Sequence, residues 1–303
     1  MSRNSIELIK VEGQSPRFEK VDLSKHRPQC RCRRGRNSVC PWAHSWAHLT
    51  ALHPESFRNY LELLSLQAHT ALDRKTAVQI EKDLPRTHPQ VNYFSKGPGK
   101  QVLRRVLHAY AWYNSSVGYV QGINFLAAAL LWHASEVDAF WLLVSLMDDY
   151  GLRENYLPGL PGLNKHAHVV EYLTMDQLPN LYKHFLEHNI LIGLFTNEWC
   201  LTLFSCLIPL EDMKQVLDYF FRFGWNFFYK MVLAILEIFS PRLMRMDELS
   251  AILSLLKPYN SKHAQSQDGI NNFNWKNIIK KALAKNVHEE FINCLYYNCD
   301  SET

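Results

Sequence analysis

Two polar residues, Arg86 and Gln121, stand where the chain has the means to hold a side chain rigidly. Pro85 precedes Arg86 and Pro89 follows it, so a helix is expected to end near Asp83 and leave Arg86 on a stiff turn. An arginine held in this way can neutralise the negative charge that develops on a transferring phosphoryl group. It can equally be a structural arginine that pairs with Asp83 or another carboxylate, and the spacing alone leaves both interpretations open.

Gln121 belongs to a second stiff turn. Gly118 and Gly122 bracket Tyr119–Gln121, and glycines at these places permit close approach to another backbone. A glutamine on such a turn can orient an attacking water, because its amide both accepts and donates hydrogen bonds. The alternative is a buried amide that satisfies backbone groups of the loop.

Helices are expected to position both turns. Ala77–Asp83 is predicted to be a short helix that leads into the first turn. Lys100–Trp112 carries an apolar stripe at helical spacing and is predicted to be an amphipathic helix. Ile123–Trp132 is apolar almost all round, which is typical of a helix buried on every side, so it would anchor the Gln121 turn rigidly.

The remainder of the chain has few glycines and almost no strand-like alternation, which predicts an all-α fold. The loop at Pro158–Gly162 is taken as the boundary between two packed helical lobes, residues 29–157 and 158–303, after a flexible basic segment, residues 1–28. Lys257–Asn274 is expected to be a loop. Further helices are expected at Phe57–Leu66, Glu136–Tyr150, His168–Tyr172, Asp176–Asn189, Asn197–Leu207, Glu211–Phe223, Phe227–Phe239, Glu248–Leu256 and Trp275–Tyr297.

Composition excludes several classes of protein. The chain is 47% hydrophobic and 20% charged, a globular balance and not a disordered one. Its net charge of +4 is too small to imply nucleic acid as a partner. A phosphate-binding loop of the form G-x-x-x-x-G-K-[ST] is absent from the sequence, so the chain is not expected to bind a nucleotide by itself. Seven cysteines without secretory context indicate reduced thiols and a cytoplasmic protein.

Ile190–Leu210 is long and apolar enough to be weighed as a membrane span. Asn197 and Glu198 would then lie near the bilayer centre at a cost of a few kcal/mol, and Pro209 ends the stretch. Two buried helical pieces that meet near Thr196 are therefore expected instead.

The N-terminal region offers two weaker signals. Eight Lys or Arg residues lie between Arg17 and Arg36, a pattern more typical of a solvated basic tail than of a patch for acidic lipid headgroups or an acidic partner. A zinc site is disfavoured because C-x-C is not the usual knuckle spacing. The residues that could form such a site are Cys30, Cys32 and Cys40 with His44 or His48.

The order Ile80, Asp83, Arg86 followed by Tyr119 and Gln121 resembles the paired signature of TBC domains, which are GTPase-activating proteins for Rab-type small GTPases. The resemblance covers about Arg33 to Leu256. Other segments that carry it are Arg86–Pro89, Phe94, Leu103–Tyr110, Gly118–Asn124, Glu198–Phe204, Leu217–Asp218 and Ala234–Leu236.

This resemblance implies that the protein acts together with a partner protein. It makes Arg86 an arginine finger and Gln121 a glutamine finger that act in trans on GTP bound to a Rab-family GTPase. Asp83, Tyr119 and Asn124 would support them. The chain would need no cofactor of its own, since GTP and Mg²⁺ come with the partner.

The resemblance also implies recruitment to intracellular membranes by the GTPase, hence a role in vesicle trafficking, with docking between the lobes. Basic side chains expected at the edge of that contact are Lys96, Lys100, Arg104 and Arg105. The rival hypothesis is a non-catalytic TBC-like module that binds a small GTPase as scaffold or effector. Gly35–Trp46 departs from the family's usual G-I-P-x-x-L-R opening and favours that rival, whereas the intact Arg86 and Gln121 oppose it.

Overall fold

The computed structural model describes residues 56–69, 72–257 and 274–298, and within these ranges the regular structure is entirely helical, which confirms the all-α prediction. The helices are α1 (Ser56–His69), α2 (Arg74–Asp83), α3 (Asn92–Ser95), α4 (Gly99–Tyr113), α5 (Ile123–His133), α6 (Glu136–Asp148), α7 (Pro161–Gln177), α8 (Pro179–Glu187), α9 (Gly193–Thr202), α10 (Leu210–Phe223), α11 (Trp225–Leu243), α12 (Leu249–Leu256), α13 (Trp275–Ala284) and α14 (Glu289–Asn298). Short 3-10 turns occupy Leu84–Arg86 and Leu152–Asn155.

Helix α5 lies at the centre of the first half of the fold. Every residue from Ile123 to Leu131 is buried, as its apolar sequence predicts. Helix α4 packs against it with the buried face formed by Leu103, Val106, Leu107 and Tyr110, so the predicted amphipathic stripe is confirmed. The residue before α5, Gly122, is thereby tied to an immobile element.

Helix α11 has the same place in the second half. It packs against α7, α10 and α13, and its residues from Met231 to Leu236 are all buried. Pro241 lies in its last turn, where the chain is about to leave the helix. The proposed division of the chain between residues 157 and 158 stays a prediction.

The helix after the Pro158–Gly162 loop begins earlier than expected. Pro161 is the first residue of α7, where its fixed φ suits a helix and its missing N–H is not needed. Gly162 follows because a side chain there would overlap the side chain of Asn155. The continuous helix predicted at Asp176–Asn189 is also wrong, since Leu178 interrupts it and Pro179 starts α8.

The predicted junction near Thr196 is wrong as well. Thr196 lies inside α9, where its hydroxyl donates to the carbonyl of Ile192 at 3.0 Å and so needs no break in the helix. The break comes at Leu203 and Phe204, whose φ values are 44° and 67°. Within the described ranges, no helix is long and apolar enough to cross a membrane.

Two smaller expectations also fail. The helical spacing of Phe57–Leu66 predicts that Leu61 lies on the buried face of α1, but it is 47% exposed and Leu63 is buried instead. Trp275–Tyr297 is two helices, α13 and α14, because residues 285–288 leave the helical conformation. The basic segment 1–28, the zinc candidates and Gly35–Trp46 lie outside the described residues, as do residues 258–273 of the predicted loop.

His88 is a polar residue buried in this core. Its φ is 44°, and its ring meets Phe125 edge-on at 5.3 Å between centroids. Burial lowers the pKa of His88 from 6.5 to about 4, because a charged imidazole would lose its hydration there. The unfolded chain therefore binds more protons than the folded chain between pH 6.5 and 4, and stability falls as the pH drops through that window.

We expect His88→Asn to lessen this pH dependence, since asparagine tolerates a positive φ but does not titrate. Between pH 7 and pH 5 the free energy of unfolding of the wild type should fall by about 2 kcal/mol more than that of the variant. Urea unfolding at the two pH values measures both differences. Equal losses in the two proteins would show that His88 is not buried as a neutral group.

Candidate functional site

The turns that carry Arg86 and Gln121 meet at one groove of about 360 Å³. Both side chains are exposed, so both are accessible from outside the molecule. The groove is lined by Arg86, Val120, Gln121, Gly122, Phe125, Leu160, Glu198, Leu201, Thr202, Cys206 and Lys257. Residues far apart in the chain thus form one concave surface.

The Arg86 turn is built by the end of α2. The helix ends at Asp83, and Pro85 then sits in the first positions of the 3-10 turn, where the missing N–H costs nothing. Thr87, the residue after this turn, is extended, with φ −83° and ψ 108°. The predicted end of the helix near Asp83 is confirmed.

Asp83 is a buried carboxylate at the base of this turn, with a 1% exposed side chain. It accepts hydrogen bonds from Gln79 Nε2 at 3.1 Å and from the Tyr119 hydroxyl at 2.7 Å, and it forms an ion pair with Arg86 Nη2 at 2.7 Å. A buried charge is tolerated only when it is paired and hydrogen-bonded, and these three groups meet that condition. Burial raises the pKa of Tyr119 far above its usual value, so its hydroxyl stays a donor.

A second chain of hydrogen bonds joins the two turns. The Thr87 hydroxyl donates to the carbonyl of Asp83 at 2.8 Å, and Asn124 Nδ2 donates to the Thr87 hydroxyl oxygen at 2.7 Å. The other end of the Asn124 amide, Oδ1, accepts from the backbone N–H of Gly122 at 3.0 Å. The separation between the Arg86 turn and the Gln121 turn is therefore held by side chains at both ends, through Asp83–Tyr119 and Thr87–Asn124.

The Gln121 turn rests directly on α9. Gly122 has φ 115°, a value that favours glycine, and a Cβ at this position would lie 3.1 Å from the Cβ of Leu201. Gln121 itself points away from the core, since it is exposed. The interpretation of Gln121 as a buried amide is therefore wrong. The structural interpretation of Arg86 is partly right, because Arg86 pairs with Asp83 and also lines the groove.

A second part of the groove lining, formed by Glu198 of α9 and Lys257 after α12 and called the α9 wall below, was not predicted. Glu198 and Lys257 form an ion pair at 2.9 Å, with side chains 18% and 24% exposed. Lys257 Nζ also donates to the carbonyl of Leu194 at 3.2 Å. One sequence signal pointed here, since Glu198 is the single charge within the apolar stretch Ile190–Leu210.

The four predicted edge cations lie outside the groove lining. Arg104 pairs with Glu81 at 2.6 Å, and Arg105 pairs with Glu136 at 2.6 Å. Hydrogen bonds from these arginines lower the pKa of each carboxyl partner. Lys96 is exposed and Lys100 is half-buried. Their contact with a partner stays a prediction.

Other residues noted in the sequence have structural places. The spacing of Trp199 and Phe204 suits helix packing and predicts core positions, and both residues are buried. Asp218 is half-exposed and pairs with Lys214 at 2.8 Å, one turn before it on α10. Among the described residues no group of histidines, cysteines and carboxylates is arranged to hold a metal ion.

Taken together, the groove presents a guanidinium and a primary amide from two turns that are braced against each other. These groups suit an anionic, phosphate-bearing reactant and a water molecule. The α9 wall carries little net charge, because Glu198 and Lys257 form an ion pair. The chemistry of the site is thus concentrated on the Arg86 and Gln121 side.

Comparisons with known proteins agree on the family. The model of the Rab-GTPase-TBC domain matches residues 44–244. The chain is 37% identical over 169 residues to the Rab GTPase-activating protein eat-17 of Caenorhabditis elegans, covering 55% of this chain and 19% of that protein. It is 34% identical over 203 residues to TBC1 domain family member 1 of Homo sapiens, covering 66% and 17%. The chain thus spans less than one fifth of the length of these two relatives.

Solved structures show the same fold. The Ypt/Rab-GAP domain of Gyp1p superposes with a TM-score of 0.64 and 21% identity, over 79% of this chain and 85% of that one. A Chlamydomonas flagellar RabGAP TBC domain gives a TM-score of 0.63 and 22% identity, over 79% and 78%. Because the family model matches residues 44–244 of the 303, the chain belongs to the Rab-GTPase-TBC domain family.

Proposed function

We propose that this protein accelerates GTP hydrolysis by a Rab-family GTPase and supplies Arg86 and Gln121 to the partner's nucleotide site. The observation that carries the proposal is the placement of both side chains, exposed, on one groove. Family membership supports the activity, and the relative eat-17 is described as a Rab GTPase-activating protein. The GTP-bound form is the substrate, and the nucleotide and Mg²⁺ belong to the partner.

Arg86 suits the charge of the transition state. Its guanidinium keeps its charge at neutral pH and offers a planar fork to phosphate oxygens, which a lysine ammonium lacks. The ion pair with Asp83 occupies Nη2 and orients the group before a partner arrives. An arginine supplied in trans is worth about a thousandfold or more in rate.

Gln121 suits the attacking water. Its carbonyl can accept a hydrogen bond from water while its amide donates to a phosphate or backbone oxygen. Asn124 holds the neighbouring backbone N–H of Gly122, so the side chain projects from a turn that does not have to reorganise. Asp83, Tyr119 and Asn124 are the positioning residues in this proposal.

A non-catalytic module that only holds a GTPase is the second candidate. It uses the same groove but does not need the orientation of Arg86 and Gln121. In either case the partner draws the protein to the membrane on which that GTPase resides, while direct contact of the basic residues 1–28 with acidic lipid is a separate proposal.

We expect Arg86→Ala to reduce the stimulated kcat by about a thousandfold and Arg86→Lys to restore little of it, because charge without the fork is insufficient. Gln121→Ala should cost about a hundredfold through loss of water orientation. Phosphate release from a panel of GTP-loaded Rab proteins, with and without this protein, measures these effects.

Matched controls are Arg222→Ala and Gln215→Ala, which remove exposed side chains of the same types from α10. Both should retain full activity. If the wild type binds a GTP-loaded Rab but leaves its hydrolysis unchanged, the non-catalytic module is correct. If no Rab is bound or stimulated, the proposed function is wrong.

We expect Gly122→Ala to lower the rate of stimulated hydrolysis by about tenfold or more, because a Cβ would press on Leu201 and displace the Gln121 turn. Its unfolding free energy should fall by about 1–3 kcal/mol from backbone strain. Gly151→Ala is the control, since Gly151 also has a positive φ but nothing lies within 4 Å of its Cβ position. That variant should lose stability and keep its activity. Full activity in Gly122→Ala would show that the turn need not be held where it is.

A further inference from the structure

The groove that carries Arg86 and Gln121 continues onto an exposed apolar helix face. Leu191, Leu194, Glu198 and Leu201 follow one another at intervals of three or four residues along α9 and the turn that leads into it, and they are called the α9 stripe below. The N–H of Leu194 donates to the carbonyl of Leu191 at 3.0 Å, so Leu191 lies in the turn at the start of α9.

The exposure of this stripe is unusual for its composition. Leu191 is 69% exposed and Leu194 is 39% exposed. The other side of α9 is buried in the core through Phe195, Trp199 and Cys200. Adjacent large apolar side chains that stay exposed beside a groove are typical of a contact surface.

The stripe is attached to the candidate site at its inner end. Leu201 lines the groove and lies against Gly122, one residue from Gln121. From Leu201 the helical rise carries the stripe about 15 Å outward to Leu191. Any protein that brings a phosphate to Gln121 therefore lies over Leu201 and next to the rest of the stripe.

The charges on the stripe do not favour a charged partner. Glu198 pairs with Lys257, which also donates to the carbonyl of Leu194, so the ion pair is directed back onto the helix. A neutral, apolar surface fits such a face better than an acidic or basic one. The groove is lined by eleven residues, which is also fewer than the roughly 20–30 that each partner contributes to a specific interface.

We propose that the α9 stripe is a docking surface for an apolar patch of the GTPase, next to that protein's phosphate site. This inference rests on the proposed function and adds the surface through which the substrate is held. Leu191 and Leu194 supply binding that is the same in the ground state and in the transition state. Their removal is therefore expected to raise KM, whereas removal of Arg86 is expected to lower kcat.

The test is the double variant Leu191→Asp/Leu194→Asp. Aspartates at the start of a helix are compatible with its dipole, so the fold is retained, and the melting temperature checks this. Leu283→Asp on α13 is the control, because Leu283 is 39% exposed, the same as Leu194. We expect the double variant to raise KM for the GTP-loaded Rab by about tenfold or more with kcat within about twofold, and the control to change neither. If the double variant fails to fold, Leu191→Ser and Leu194→Ser are measured singly and should each raise KM.

The outcomes separate the two proposals. Stimulation by the wild type with equal KM for the double variant and the control overturns the docking surface and leaves the proposed function intact. A wild-type dimer in sedimentation that the double variant abolishes, with KM unchanged, overturns it in favour of a second copy of this chain. A wild type that neither binds nor stimulates any Rab overturns the proposed function and the docking surface together.

Discussion

The geometry of the site depends on one buried carboxylate. The Asp83 side chain is buried, and three contacts offset the cost of burying its charge. They come from Gln79 on α2, from Tyr119 on the second turn and from Arg86 on the first turn. Each of these contacts is needed to offset the desolvation of the charge, so the charge in turn holds them together. The requirement that a buried charge be satisfied is thus what brings the two turns to the same groove.

The surrounding helices make that arrangement rigid. Helix α5 is buried along its length and begins directly after Gly122, and Leu201 of α9 lies against the same glycine. Tyr156, whose hydroxyl donates to the carbonyl of Leu201, braces α9 in turn. The groove therefore lies between elements that each pack into the core. This packing positions the residues that line the groove without a partner.

The sequence predicted the parts of this structure that depend on local chemistry. Prolines beside Arg86 and glycines beside Gln121 indicated the two turns, and the apolar patterns of α4 and α5 indicated buried helices. What escaped prediction depends on tertiary partners. Thr87 meets Asn124 across 37 residues, and Glu198 meets Lys257 only because α9 and the end of α12 pack together. Thr196 looked like a break because its hydroxyl is polar, yet a carbonyl one turn back satisfies it.

The pairing of Glu198 with Lys257 also makes the two walls of the groove differ in their response to ionic strength. The Arg86 guanidinium is 42% exposed while its partner Asp83 is 1% exposed, so mobile ions can screen its charge, but they find little net charge on a wall whose carboxylate and ammonium lie 2.9 Å apart. For a GTPase that docks as proposed, added salt would therefore weaken long-range attraction toward the Arg86 side and leave apolar contact along α9 nearly unchanged. A salt titration would then slow association much more than it would speed dissociation.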